Sequence, residues 1–177
     1  MIDIRHVYQT FGDRHILKDV SLSIKEGETM VILGASGSGK STLLKLIIGL
    51  LRPTSGKVLV NGKDMGQLSE EELNEERRSM GMVFQYSALF DSLNVKENVA
   101  FGLRMHTRLS EEKIDAIVKE KLHLVGLDGI EDLMPANLSG GMKKRVSLAR
   151  AIALEPKIIL YDEPTAGLDP IRSTDIS

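Results

Sequence analysis

Eight consecutive residues, Gly34-Ala35-Ser36-Gly37-Ser38-Gly39-Lys40-Ser41, fit the spacing G-x-x-x-x-G-K-[ST]. Glycines at these positions let successive backbone N–H groups turn toward one point as an anion-binding nest. A helix beginning just beyond them adds the positive end of its dipole. Lys40 then supplies a point charge for β- and γ-phosphates, and the Ser41 hydroxyl a hard oxygen for Mg²⁺. This is the chemistry of a nucleoside-triphosphate site. A Gly/Ser-rich linker with an incidental lysine is the alternative, and it requires neither the Lys-Ser pair nor the apolar segments on both sides, residues 29–33 and 41–51.

Two further groups of residues could serve the same substrate. Asp162-Glu163 follows the apolar run I-I-L-Y at 158–161, and a carboxylate at the end of a strand beside a phosphate loop suits Asp162 to the Mg²⁺ shell. Glu163 stands next in line to polarise an attacking water. Leu138-Ser139-Gly140-Gly141-Met142 precedes a helical pattern. Ser139 reads as its N-cap, and the two glycines leave a bare, donor-rich helix start that can also face an anion.

These residues need elements to hold them. Residues 29–33 and 158–161 are contiguous apolar runs bounded by Gly or by acidic residues, which predicts strands buried on both faces of a parallel sheet. Residues 2–7 and 20–24 alternate and predict an antiparallel flank. Residues 57–60, followed by Asn61-Gly62, predict a strand entering a tight turn, and residues 80–84 a further strand. Helices are predicted at 41–51, apolar nearly all round and hence buried; at 69–78, opened by the capping box Ser69-x-x-Glu72; at 110–125; and at about 141–154. The order is strand, loop, helix, a helix-rich middle, then a late strand: an α/β domain with a helical insertion.

Composition narrows the partners. Lys+Arg 23 against Asp+Glu 25 gives a net charge of -2, without the basic excess of a nucleic-acid-coating protein. The chain has no Cys, which excludes disulfides, thiolate catalysis and cysteine-ligated metal sites. No stretch reaches the 18 or more apolar residues of a membrane span, and the N-terminus lacks the layout of a signal peptide.

The phosphate loop, then L-S-G-G at 138–141, then I-I-L-Y-D-E at 158–163, then Ala166-Gly167-Leu168-Asp169 resemble, in type and order, the ATP-binding subunit of an ABC transporter. The resemblance covers essentially the whole chain. It implies a P-loop NTPase (ABC ATPase) core with a parallel sheet, an antiparallel β flank and an inserted helical subdomain. It divides a single domain, 1–177, into an ATP-binding core at 1–85 and 155–177 and a helical part at about 86–154. ATP and Mg²⁺ are the implied cofactors. Phe11 matches the aromatic residue that stacks on adenine, with Tyr8 the lesser candidate. Gly34, Ala35, Ser36, Gly37, Ser38, Gly39, Lys40, Ser41 and Thr42 match the nucleotide-binding residues. Gln85 matches the glutamine that senses Mg²⁺ and the γ-phosphate, giving a metal shell of Ser41, Gln85 and Asp162 and a catalytic set of Glu163, Gln85 and Lys40. Ser139, Gly140 and Gly141 match the signature that contacts ATP held by the opposite subunit, and Asp169 matches an aspartate at that dimer interface.

The implied assembly is a homodimer, or a pair of related ATPase subunits, sandwiching two ATP molecules. It would be cytoplasmic and dock on transmembrane permease subunits at the inner face of the cell membrane, with the region from Tyr86 onward meeting the permease loops. Met142, where glutamine is usual, together with residues 87–95 and Leu133-Met134-Pro135, makes the chain most similar to the ATPases of Mla-type phospholipid transporters. Those also work with an MCE-domain lipid-binding protein. Importers of amino acids or metals share the main motifs and form the alternative. A soluble ABC ATPase acting on DNA or ribosomes would carry a coiled-coil insertion, zinc-binding Cys or a second cassette. A further departure concerns histidine. The family carries a γ-phosphate-contacting His beyond the Asp169 position, yet His6, His15, His106 and His123 are the only four here. The resemblance therefore predicts a C-terminally truncated cassette, lacking terminal strands. Such a chain would be poorly soluble by itself and bind ATP without efficient hydrolysis.

Overall fold

Alternating apolar residues draw the first two dozen residues into a long antiparallel hairpin, β1 (Ile2–Phe11) and β2 (Arg14–Ile24). The computed structural model describes residues 2–85 and 87–162, and the chain divides into two units, residues 1–77 and 78–177.

In the first unit β1 also pairs with β3 (Ser55–Val60), which turns through Asn61-Gly62 into the short β4 (Lys63–Asp64). The sheet order is β2-β1-β3-β4, antiparallel throughout. Asn61 and Gly62 both have positive φ, 50° and 82°, as the expected tight turn requires. An extra residue in β1, His6 with φ 49°, shifts the register between Ile4 and Val7, so that Ile2, Ile4 and Val7 all stay buried. Opposite this bulge the backbone approaches so closely that a Cβ on Gly56 would run into the His6 carbonyl.

Helix α1 (Lys40–Ile47) packs against β3 and buries Leu43, Leu46 and Ile47. It is shorter than the predicted 41–51, because Gly49 adopts φ 72° and the chain leaves the helix there. The helix is also not buried all round: Lys45 faces solvent. Helix α2 (Glu70–Arg77) opens on the predicted capping box, with Ser69 N–H donating to Glu72 (2.8 Å) and Glu72 N–H to the Ser69 hydroxyl (3.3 Å). At its other end the Arg77 guanidinium donates to the carbonyls of Ile48 (3.0 Å) and Gly49 (2.8 Å), satisfying the end of α1.

The second unit is built on β5 (Met80–Val83) and β6 (Ile158–Tyr161), two strands expected at 80–84 and 158–161, which pair in parallel with each other. Among the described residues three helices follow β5: α3 (Val95–His106), α4 (Glu111–Leu124) and, after a 3-10 turn at Pro135–Asn137, α5 (Gly140–Ile152). Val99, Leu103, Ile114, Val118, Leu122 and Val146 lead a continuous core among them. Gly81 lets α5 lie close on β5: a Cβ there would sit 2.6 Å from the Ala151 carbonyl oxygen.

Two strand expectations are corrected. Residues 29–33 form no strand; Val31 is 74% and Leu33 89% exposed. A β conformation is stable only in a ladder, and among the described residues none pairs with this segment. In β6, Leu160 is buried but Ile159 and Tyr161 are exposed, so the strand is covered on one face only. A two-stranded ladder with α5 on one side leaves its other face open.

Candidate functional site

The phosphate loop belongs to the first unit and runs directly into α1. Its glycines are required by geometry at specific points. Gly39, the N-cap of α1, has φ 99°, and a Cβ on it would lie 2.7 Å from a Leu17 methyl and 3.1 Å from one of Ile16. Gly37 has φ 78° in open space, and a Cβ on Gly34 would lie 2.6 Å from the Ser38 hydroxyl. The loop closes on itself through Ser38 N–H donating to the Ala35 carbonyl (3.2 Å). Lys40 folds back across it, its ammonium donating to the carbonyls of Gly34 (2.9 Å) and Ala35 (3.1 Å).

The positive charge thus stands at the loop beside a helix start that has no side-chain cap. Fixed cation, glycine backbone and helix N-terminus converge as an anion seat. Ser41 and Thr42 occupy the first turn of α1. Phe11 ends β1, paired with Arg14 across the Gly12-Asp13 turn, and is 48% exposed. The strand that returns from this turn carries Ile16 and Leu17, the two residues backing Gly39. One hairpin therefore carries both the aromatic candidate and the support of the loop. Tyr8 lies on the same strand, 40% exposed.

The other candidates described here belong to the second unit. Asp162 follows β6, and its N–H extends the ladder to the Val83 carbonyl (3.0 Å). Gln85 lies just beyond the end of β5, so the parallel pairing brings the exits of the two strands side by side. Each candidate metal ligand carries a hard oxygen donor of the kind Mg²⁺ takes: the Ser41 hydroxyl in the first unit, and the Gln85 amide carbonyl and the Asp162 carboxylate in the second. Glu163, Asp169 and the Ala166-Gly167-Leu168 segment lie outside the described residues.

Ser139 is the N-cap of α5, its hydroxyl accepting from Met142 N–H (3.2 Å). The helix starts at Gly140, and both Ser139 and Gly140 are exposed while Leu138 anchors the turn in the core. The signature is therefore held from behind and presented outward.

Two residues that sequence reasoning passed over shape the segment after Gln85. Asn98 is fully buried; its Oδ1 accepts from Phe90 N–H (2.8 Å) and its Nδ2 reaches the carbonyls of Phe90 (3.1 Å), Leu93 (2.9 Å) and Asn94 (3.0 Å). Arg150, on α5, donates to the carbonyls of Ala88 (2.8 Å) and Ser87 (3.2 Å). Burial pushes its guanidinium below the ordinary arginine range. Asn94-x-x-Glu97, a capping box at the start of α3, was the local signal available for this region. No local signal pointed to Arg150.

A family model described as ABC transporter matches residues 17–166. The chain belongs to the ABC transporter family. It is 49% identical over 171 residues to the intermembrane phospholipid transport system ATP-binding protein MlaF of Haemophilus influenzae, covering 97% of this chain and 65% of that one. It is 50% identical over 176 residues to the probable ribonucleotide transport ATP-binding protein mkl of Mycobacterium leprae, covering 99% and 51%. Among solved structures, the dimeric post-hydrolysis state of the ATP-binding cassette MJ0796 bound to ADP and Pi is 38% identical with a TM-score of 0.91, over 99% of this chain and 79% of that one. The chain spans about half the length of the first curated relatives it matches. Among the described residues no helix is long and apolar enough to cross a membrane.

Proposed function

We propose that this chain is the ATP-binding and ATP-hydrolysing part of a transport ATPase. The carrying observation is the Gly34–Ser41 loop, with Lys40 folded across it at the start of α1. In this reading residues 34–42 hold the phosphates and Phe11 stacks on the adenine. Ser41, Gln85 and Asp162 hold Mg²⁺, which when bound neutralises charge on the phosphate oxygens. Glu163 accepts a proton from the attacking water. Residues 1–85 and 155–177 act as the ATP-binding core and about 86–154 as the helical part.

Ser139, Gly140 and Gly141 meet nucleotide held by a second subunit, with Asp169 at the same interface. The outward presentation of Ser139 and Gly140 supports this, and so does the dimeric state of the similar cassette. The permease would meet Phe90, Phe101 and Met105, which are 41%, 41% and 65% exposed; the two aromatic rings touch, with centroids 4.7 Å apart. In this reading the subunit sits at the cytoplasmic, inner face of the cell membrane through the permease, with an MCE-domain protein in the same system.

Phospholipid is the proposed cargo, on the resemblance to MlaF; the name of the mycobacterial relative points to ribonucleotides. The test is ATP turnover by the full-length protein with its permease. Glu163→Gln abolishes turnover while ATP binding persists, and phospholipid stimulates the wild type. Turnover that survives Glu163→Gln would contradict the enzymatic reading. Stimulation by ribonucleotide and not by phospholipid would overturn the cargo.

A further inference from the structure

The loop that follows Gln85 contains two consecutive non-glycine residues in the left-handed region, Ser87 with φ 61° and Ala88 with φ 46°. Left-handed backbone is disfavoured for an L-residue, so a pair of them persists only where the surroundings enforce it. The enforcing group is identifiable. Arg150 reaches both strained residues through their carbonyls, at 3.2 and 2.8 Å. Its guanidinium also lies over the Phe90 ring, 5.5 Å from the centroid. Asn98 fixes the far end of the same loop at Phe90 and Leu93. The near end is fixed by β5, which closes two residues before Gln85.

We propose that Arg150 is a positioning residue for Gln85: from the helix that begins at the signature, it clamps the left-handed Ser87–Ala88 backbone and so sets where the Gln85 amide stands. This rests on the reading of Gln85 as a residue that touches Mg²⁺ and the γ-phosphate. The same guanidinium contacts Phe90 of the exposed aromatic pair. One side chain of α5 thus joins the signature helix, the Gln85 loop and the surface assigned to the permease. A lysine cannot replace it, because two diverging carbonyls and a ring face need the planar, multi-donor guanidinium.

The test uses the full-length protein and follows ATP turnover, the KM for ATP and the thermal midpoint. Arg150→Lys is expected to lower kcat about 10-fold or more. KM for ATP stays within about 2-fold and the midpoint within about 3 °C, because the phosphate loop lies in the other unit. The double variant Gln85→Ala/Arg150→Lys is expected to turn over no more slowly than Gln85→Ala, since the two changes disable one function.

Ala88 is exposed, and glycine accepts its φ without penalty. Adding Ala88→Gly to Arg150→Lys is therefore expected to restore about 3-fold of the lost kcat. Wild-type kcat in Arg150→Lys, with Gln85→Ala impaired, overturns the proposal and leaves the role of Gln85 standing. Multiplicative losses in the double variant also overturn it. An unimpaired Gln85→Ala overturns the reading of Gln85 and the proposal with it. If Arg150→Lys does not fold, Phe90→Leu, compared with Phe101→Leu in the absence of permease, removes the guanidinium–ring contact in addition to the ring pair, and is expected to lower kcat about 2–5-fold further than Phe101→Leu without moving KM. A kcat no lower than that of Phe101→Leu, with no gain from Ala88→Gly, overturns the proposal.

Discussion

The two units organise their chemistry in opposite ways. In the first, the proposed anion seat consists of consecutive residues. Gly34, Gly37 and Gly39 set the backbone, Lys40 folds onto carbonyls five and six positions back, and α1 begins at once. In the second, the loop carrying the candidate Gln85 is held by one side chain distant in sequence and by a second buried in the helix that follows it. Arg150 bonds residues 62 and 63 positions away, and the buried Asn98 closes a polar cluster with residues 90, 93 and 94. A local device can be read as a motif. A long-range one exists only once the helices have packed.

The largest expected effect on stability tests whether buried side chains hold the loop of the second unit. Asn98→Ala strips Phe90 N–H and three carbonyls of a partner inside the core. It is expected to cost about 3 kcal/mol, and denaturant unfolding measures it. A loss under about 1 kcal/mol would show that the loop holds its shape without its buried side-chain partner, and the contrast with the backbone-built loop of the first unit would collapse.

The local side predicts a graded response. Gly39→Ala meets both a disfavoured φ and the Leu17 and Ile16 side chains, whereas Gly37→Ala meets only the backbone penalty. The expected costs are about 2–3 kcal/mol and about 1 kcal/mol, with weaker nucleotide binding in the same order. Equal costs would mean that contact with β2 does not constrain the loop.

A smaller effect lies in a cap shared by neither device. Hydrogen bonds from Ser69, its backbone N–H foremost, hold the Glu72 carboxyl below the usual carboxylate range. A depressed folded-state value stabilises the protein above the unfolded carboxylate pKa, and that contribution disappears as pH falls through the folded value. Glu72→Gln is therefore expected to be slightly destabilised near neutrality and to lose less than the wild type on acidification. Thermal midpoints across pH 7 to 3 would check this; parallel curves would contradict it.

The same contrast explains what the sequence disclosed. The phosphate loop, the α2 capping box, the Asn61-Gly62 turn and the β5–β6 strands are local patterns, and each forms where its residues predict. Helix α3 was not separated from the helix-rich middle, although Asn94 and Glu97 cap it. Its β-branched Val95 and Val99 and its Gly102 weaken the helical pattern, and packing on α4 and α5 supplies what propensity does not. Residues 29–33 failed in the other direction: their apolar character suits a buried strand, but a strand is a property of a pair. Arg150 and its carbonyl partners fall outside any spacing rule, because the bonds span most of the second unit.

The central claim is that the Gly34–Ser41 loop binds the phosphates of ATP through Lys40 and the backbone. Titration of the full-length protein with Mg-ATP, comparing wild type with Lys40→Ala, tests it most directly. Loss of a charge-assisted contact of about 1.5–3 kcal/mol predicts binding weaker by roughly 10- to 150-fold, with the thermal midpoint without nucleotide little changed. Equal affinity in the two proteins would contradict the account.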